Sequence, residues 1–222
     1  MTTRPAVSLS GMGAAEKIGP ISVEDYLAGE LLAEHKHEYT AGRVYMMAGG
    51  RNQHNAISVS FLVAMGTKLR GRPCQPFNSD TKVRVRLDDP PQTRFYYPDG
   101  MVVCEPNAAN ETFQDRPVVI AEVLSPKTRR VDEGEKRAAY LTIPTLSAYL
   151  LIETTLPRVT AFERSESGEF EERVYSGLDT TIELPAIGTS LTLAELYERV
   201  DFTAAAEDER TERRELDYDD DE

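Results

Sequence analysis

Cysteine is scarce in this 222-residue chain: Cys74 and Cys104 stand 30 positions apart and form no C-x-x-C pattern. Two such residues exclude a zinc ribbon and a disulfide-built miniprotein, and predict reduced, buried thiols in a reducing cytoplasm. Long apolar runs are missing as well. No stretch approaches the roughly 18 residues of a spanning helix, and the amino-terminal residues hold no apolar core of a secretion signal, so neither membrane insertion nor export is expected. The GxxxxGK[ST] phosphate loop and the GxSxG elbow are absent, and GMGAAE has no strand before it. Histidine is equally sparse. His35 and His37 alternate in HKHEY without a third soft ligand, which predicts solvated side chains, and His54 reads as a polar or capping contact at a helix start.

Positive charge is in deficit, with 25 Lys and Arg against 38 Asp and Glu, a net of −13. The molecule as a whole therefore repels a polyanion. The charge is uneven, however: residues 207–222 hold ten acids and three bases. Residues 66–94 instead carry seven bases, Lys68, Arg70, Arg72, Lys82, Arg84, Arg86 and Arg94, against three acids, and predict a local basic surface. A hydrophobic content of 40% at this length suits one globular domain. Residues 1–20 and 203–222 lack apolar periodicity and are expected to be disordered, which leaves a folded body at 21–202.

Within that body, Ser22 with Asp25 three residues on predicts a capped helix start. Residues 43–47 read as a strand stopped by Gly49 and Gly50. Ile57, Phe61, Leu62, Met65 and Leu69 recur at helical spacing over 52–69, and Gly71 and Pro73 end the pattern. Val83, Val85 and Leu87 then alternate with Lys82, Arg84 and Arg86, a strand with one wet face. Further strands are expected over 95–105, 117–124 and 148–153, a helix over 132–142, a hairpin over 158–164 and 170–175, and a last helix over 191–200. This order predicts a mixed sheet with helices against it, an α/β or α+β domain.

Glu122 is the most informative residue, because Val118, Ile120, Glu122 and Leu124 project to one side of their strand. Either that face opens to solvent at Glu122, or the buried carboxylate needs a metal, a cation or a proton. Asp99 follows Pro98 at the start of another strand. If the two strands are neighbours the carboxylates converge, and hard oxygen donors suit Mg²⁺ or Mn²⁺. Asp132 and Lys136, at i and i+4, make either a surface ion pair or a lysine that points back over the sheet.

Six blocks in order, HEYTAGRVYMMAGGRNQHNAIS, CQPFNSDTKVRVR, YYPDGMVVCE, PVVIAEVLSPKT, DEGEKRAAYLTIPTLSAYLLIE and LPAIGTSLTLAELYERVDF, together resemble the Uma-type restriction endonucleases, a branch of the PD-(D/E)XK nuclease superfamily. The resemblance runs over about 21–202. It implies a restriction-endonuclease-like fold, a mixed sheet flanked by helices with an acidic site at one edge. It also implies that Asp99 and Glu122 are the motif acids that bind the metal, that Glu38 is the family's amino-terminal Glu, and that Asp80 fills a further acidic position. Leu124 stands where the superfamily's lysine follows the motif Glu by two residues. Lys136 matches the site of a migrated lysine, and Lys127 competes for that role. Gly100 departs from the β-branched residue that commonly follows the PD pair.

The expectation is a Mg²⁺- or Mn²⁺-dependent endodeoxyribonuclease, a cytoplasmic hydrolase whose partner is nucleic acid, most simply DNA. A homodimer suits a nuclease that cuts both strands. The rival readings are a catalytically inactive nucleic-acid-binding or regulatory protein of the same fold, and an interaction protein that works through the acidic tail.

Overall fold

The computed structural model describes residues 20–47 and 49–203, so the expected disorder of 1–20 and 203–222 falls outside the described residues except at Pro20 and Thr203. The chain divides into two compact units. One holds the described residues up to Gly49 together with Arg84–Tyr96, and the other holds Gly50–Val83 and the described residues from Tyr97 on.

In the first unit, helix α1 (Val23–Glu30) starts where expected, with the Ser22 side chain accepting a hydrogen bond from the Asp25 amide at 3.0 Å. Strands β1 (His37–Thr40) and β2 (Arg43–Met46) form a hairpin. Its two-residue turn, Ala41-Gly42, takes positive φ at both positions, the geometry that matches the twist of paired strands. His37 is buried, contrary to the solvated side chain expected: Glu30 accepts from its backbone N–H at 2.8 Å and lies 3.1 Å from its Nδ1. Alternation in HKHEY puts His37 on the inner face with Tyr39, while His35 is exposed.

The second unit opens with α2 (Asn52–Lys68), followed by β3 (Gln75–Asn78) and the start of β4 (Lys82–Asp88), which runs on into the first unit before β5 (Pro91–Tyr96). Then come β6 (Gly100–Val103), β7 (Phe113–Gln114) and β8 (Pro117–Val123). A helical segment follows in three parts: α3 (Arg129–Val131), a π turn (Asp132–Lys136) and α4 (Arg137–Tyr140). The remainder is β9 (Ala148–Ile152), the hairpin β10 (Arg158–Arg164) and β11 (Phe170–Ser176), the hairpin β12 (Thr181–Leu184) and β13 (Thr189–Thr192), and α5 (Leu193–Leu196).

A six-stranded sheet in the order β11-β10-β9-β8-β6-β3 is the frame of this unit. Its β8–β9 pair is parallel and is joined through the helical segment, whereas the other pairs are antiparallel. Strand alternation makes β8 two-faced. Val119, Ala121 and Val123 join Ala148, Leu150 and Ile152 in one core with Ile57, Phe61 and Met65 of α2. Ile120 and Glu122 turn to the opposite face, where α4 and the π turn lie over Tyr149. Helices thus flank a mixed sheet.

Four further expectations are corrected. The expected strand over 95–105 splits into β5 and β6, because Pro98 has no N–H for a ladder. Residues 189–192 pair with β12 as a strand, so the last helix is short and starts only at Leu193. Lys82 is buried rather than wet, with Nζ donating to the Tyr97 hydroxyl at 3.1 Å. Cys74 and Cys104 are disulfide-bonded instead of reduced. They stand opposite each other just beyond the Gln75–Val103 pair of β3 and β6, a relation that 30 intervening residues conceal.

Candidate active site

The β6–β8 pairing builds the site. Gly100 stands opposite Ala121, so Asp99, one residue earlier, meets Glu122. The two acids are tied reciprocally: Asp99 Oδ2 accepts from the Val123 amide at 2.8 Å, and the Asp99 amide donates to Glu122 Oε2 at 3.2 Å. The Asp99 carbonyl is held in turn by the Ser58 hydroxyl of α2 at 2.9 Å.

Glu122 is 3% exposed, which removes the solvent-facing reading of its strand. Its Oε1 accepts from Lys136 Nζ at 3.2 Å and from the Tyr140 hydroxyl at 3.0 Å. Lys136 Nζ also lies 3.3 Å from Asp132 Oδ1, and both members of that i, i+4 pair are buried, so it is not a surface ion pair. A carboxylate in such a place survives as an ion only with a matched cation and hydrogen bonds. Burial pushes the Asp132 carboxyl up from its ordinary range, against the pull of the Lys136 charge. Burial also pushes the Tyr149 phenol well up, and its hydroxyl donates to the Asp132 carbonyl at 3.0 Å.

His54 adds a second basic group. Its Nε2 is 3.1 Å from Asp99 Oδ2, and no side chain caps the start of α2, so His54 faces the acids instead of capping the helix. Burial opposes the imidazolium, but the hydrogen bond and charge of Asp99 outweigh it and raise the His54 pKa.

Asp99, Glu122 and Lys136 are therefore brought together. Asp80 lies in the exposed turn after β3, where Asn78 Nδ2 donates to its Oδ2 at 3.0 Å and Asn78 itself pairs with Gly100. Lys127 is exposed in the turn after β8. Glu38 sits on β1 of the first unit, opposite Tyr45 and half-buried. His54, read as a polar or capping contact, Asp132, read as an ion-pair partner of Lys136, and Tyr140 are members of the constellation that the sequence reading did not place in the site. Asp132, Lys136 and Tyr140 recur at i, i+4 and i+8, and His54 shares a helical stripe with Ile57, Phe61 and Met65, but a solvated helical face shows the same spacing.

At least four of the seven bases counted in 66–94 do internal work. Lys68 donates to the Ser190 carbonyl and to Glu195, Arg72 to the Gly188 carbonyl, Lys82 to Tyr97, and Arg94 to Tyr96.

Among the described residues no group of three or more His, Cys, Asp and Glu side chains is arranged to hold a metal ion. The Asp99–Glu122 pair nevertheless has the donor chemistry of a hard divalent cation that keeps part of its water shell. Asp99 Oδ1 makes none of the bonds above, and the side chain is 19% exposed.

A family model, Uma2, described as "Putative restriction endonuclease", matches residues 23–194. An uncharacterized Synechocystis protein, slr1290, is 33% identical over 183 residues, which is 82% of this chain and 94% of that protein. A second from the same organism, sll1609, is 29% identical over 147 residues, covering 65% and 81%. Among solved structures, a chain from Anabaena variabilis titled "putative nuclease belonging to DUF820" has the same fold. The TM-score is 0.64 at 18% identity, over 81% of this chain and 98% of that one. The restriction-endonuclease-like class, a mixed sheet flanked by helices, is thus the fold of this protein.

Proposed function

The chain belongs to the Uma2 family, and from that premise we propose that it is a Mg²⁺- or Mn²⁺-dependent endonuclease that hydrolyses phosphodiester bonds of DNA. The observation that carries this reading is the meeting of two carboxylates and a lysine at one end of the β6–β8 pair, with Asp99 bonded to Glu122 and Glu122 to Lys136. Asp99 and Glu122 would hold the cation. A divalent cation bound there supplies Lewis-acid polarisation of the phosphoryl group and a more acidic water.

The chain's own residues do the rest. The Lys136 ammonium, already at Glu122, offsets the negative charge that grows on the phosphate, from a position the superfamily's usual strand lysine would otherwise fill. Its flexible stem lets the same charge arrive from a helix instead of a strand. Tyr140 and the Asp99 amide fix the two oxygens of Glu122, and His54 with the Val123 amide fixes Asp99. Preorganised groups of this kind need no rearrangement as the reaction proceeds. Among the described residues no helix is long and apolar enough to cross a membrane, and the reading sets the protein beside its DNA in the cytoplasm.

Conversion of supercoiled plasmid to nicked circle tests the proposal. The parent protein is expected to nick in Mg²⁺ or Mn²⁺ and to stop on chelation. Asp99→Asn, which keeps the side chain's shape, is expected to lose about a hundredfold or more of the rate. Metal-independent nicking, or a parent that binds DNA and RNA without cutting either, overturns the proposal, the latter in favour of a non-catalytic nucleic-acid-binding protein.

A further inference from the structure

Two buried carboxylates lie at the Lys136 ammonium, and they do not have the same fate when a cation arrives. Nζ lies 3.2 Å from Glu122 Oε1 and 3.3 Å from Asp132 Oδ1. Glu122 is the carboxylate that a divalent ion would share with Asp99. Once it does so, the negative charge that drew the ammonium is spent on the ion, and two positive charges face each other across one carboxylate. Left with Glu122 alone, Lys136 would be driven away from the place where its charge is useful.

Asp132 is outside that exchange. It is 2% exposed, on the same π turn as Lys136, four positions earlier. Its Oδ1 is sealed from solvent and receives no well-aligned hydrogen bond from any described group, so the ammonium at 3.3 Å is the interaction this oxygen makes. Its backbone is pinned from two sides: the carbonyl accepts from the Arg137 amide, which closes the π turn, and from the Tyr149 hydroxyl. Tyr149 packs edge-on against Tyr140, which also reaches Glu122, so both ends of the arrangement rest on one aromatic pair. π turns inside helices commonly re-aim side chains at functional sites.

We propose that Asp132 is the positioning residue that keeps the Lys136 ammonium in the site after a divalent cation has taken up Glu122. The proposal rests on the reading of Asp99 and Glu122 as the cation's ligands and of Lys136 as the charge at the phosphate. Asp132 itself touches neither cation nor substrate.

The test reads Lys136 directly, by acetylation of its amine with acetic anhydride and quantitation of the modified peptide by mass spectrometry, with and without Mg²⁺. Mn²⁺ affinity is measured by calorimetry on the same proteins. In the parent, Lys136 is expected to stay protected in both states. In Asp132→Asn it stays protected without metal, where Glu122 still holds it, and its labelling rises about tenfold when Mg²⁺ is added. Plasmid cleavage by Asp132→Asn is expected to lose about ten- to a hundredfold in kcat with KM unchanged. Asp132→Ser, which shortens the side chain without adding bulk, serves the same comparison if thermal melting shows that the Asn variant is unfolded. Labelling of the Mg²⁺-loaded variant no greater than that of the parent overturns the proposal. So does labelling that is equally high without metal, since that marks a purely structural ion pair. Failure of the parent to bind Mn²⁺ removes the reading on which the proposal stands and the proposal with it. Normal Mn²⁺ binding with unchanged labelling removes the proposal alone.

Discussion

The site has no room for a side chain at Gly100. A Cβ there would lie 2.6 Å from the ring of Phe61, which α2 buries against the sheet directly behind Asp99. Phe61 occupies the space that any larger residue after Asp99 would need, which accounts for the glycine. Gly100→Ala is expected to destabilise the protein by about 1 to 3 kcal/mol through overpacking. Urea unfolding would read this as a lower midpoint at constant slope, and an unchanged midpoint would contradict the packing account. The two lysines make a sharper contrast. Lys136→Ala leaves Glu122 and Asp132 buried without their shared cation and is expected to cost about 3 to 5 kcal/mol, whereas Lys127→Ala, in an exposed turn, stays within about 0.5 kcal/mol. Lys136→Met, which fills the same volume, is the variant for cleavage assays. It is expected to nick plasmid far more slowly than the parent, while Lys127→Ala nicks at the parental rate.

At the scale of elements, α5 is a four-residue helix that stands on its cap. Thr192 accepts from the Glu195 amide at 3.1 Å, and the Glu195 carboxylate accepts back from the Thr192 amide at 2.9 Å. Thr192→Ala is expected to cost about 1 kcal/mol in chemical denaturation. Burial works against the charge of Glu195, but the hydrogen bonds from Lys68 and Thr192 outweigh it and hold its carboxyl below the usual range. A depressed folded-state pKa means a contribution that is present above the unfolded value and is lost as pH falls through the folded one. The parent's stability should therefore fall more steeply than that of Glu195→Gln as pH drops below about 4.5. Parallel pH profiles would contradict the linkage. Which elements were legible in the sequence follows from the same physics. The 17 residues of α2 repeat their apolar stripe often enough to be read, and the polar, Gly-containing turn between β10 and β11 marks that hairpin. Strands β1, β3 and β12 have four residues each, too few for more than two alternations, and Pro76 further disguises β3. Asp99, Glu122 and Lys136 were legible because spaced motifs carried them. Asp132 and His54 were not, because a charge pair at i, i+4 and a polar residue in a first helical turn look the same on a wet face as on a buried one.

The whole molecule carries net charge of the wrong sign for its proposed substrate, −13 at neutral pH. Residues 207–222, outside the described part, hold ten acids against three bases and so contribute seven of those negative charges. With Lys68, Arg72, Lys82 and Arg94 committed to internal bonds, the basic surface left for a phosphate backbone is smaller than residue counts over 66–94 imply. Removal of 207–222 is expected to tighten DNA binding at low salt and to steepen its dependence on salt concentration, as more counterions are displaced per complex. Equal affinity of full-length and shortened proteins at low ionic strength would eliminate competition by that segment. The measurement that bears most directly on the account is calorimetric titration with Mn²⁺ of the parent, Asp99→Asn and Glu122→Gln. Two carboxylates that share one ion predict a single binding event in the parent, weakened about tenfold or more in each variant. Equal Mn²⁺ binding by all three proteins, or none by the parent, would contradict it.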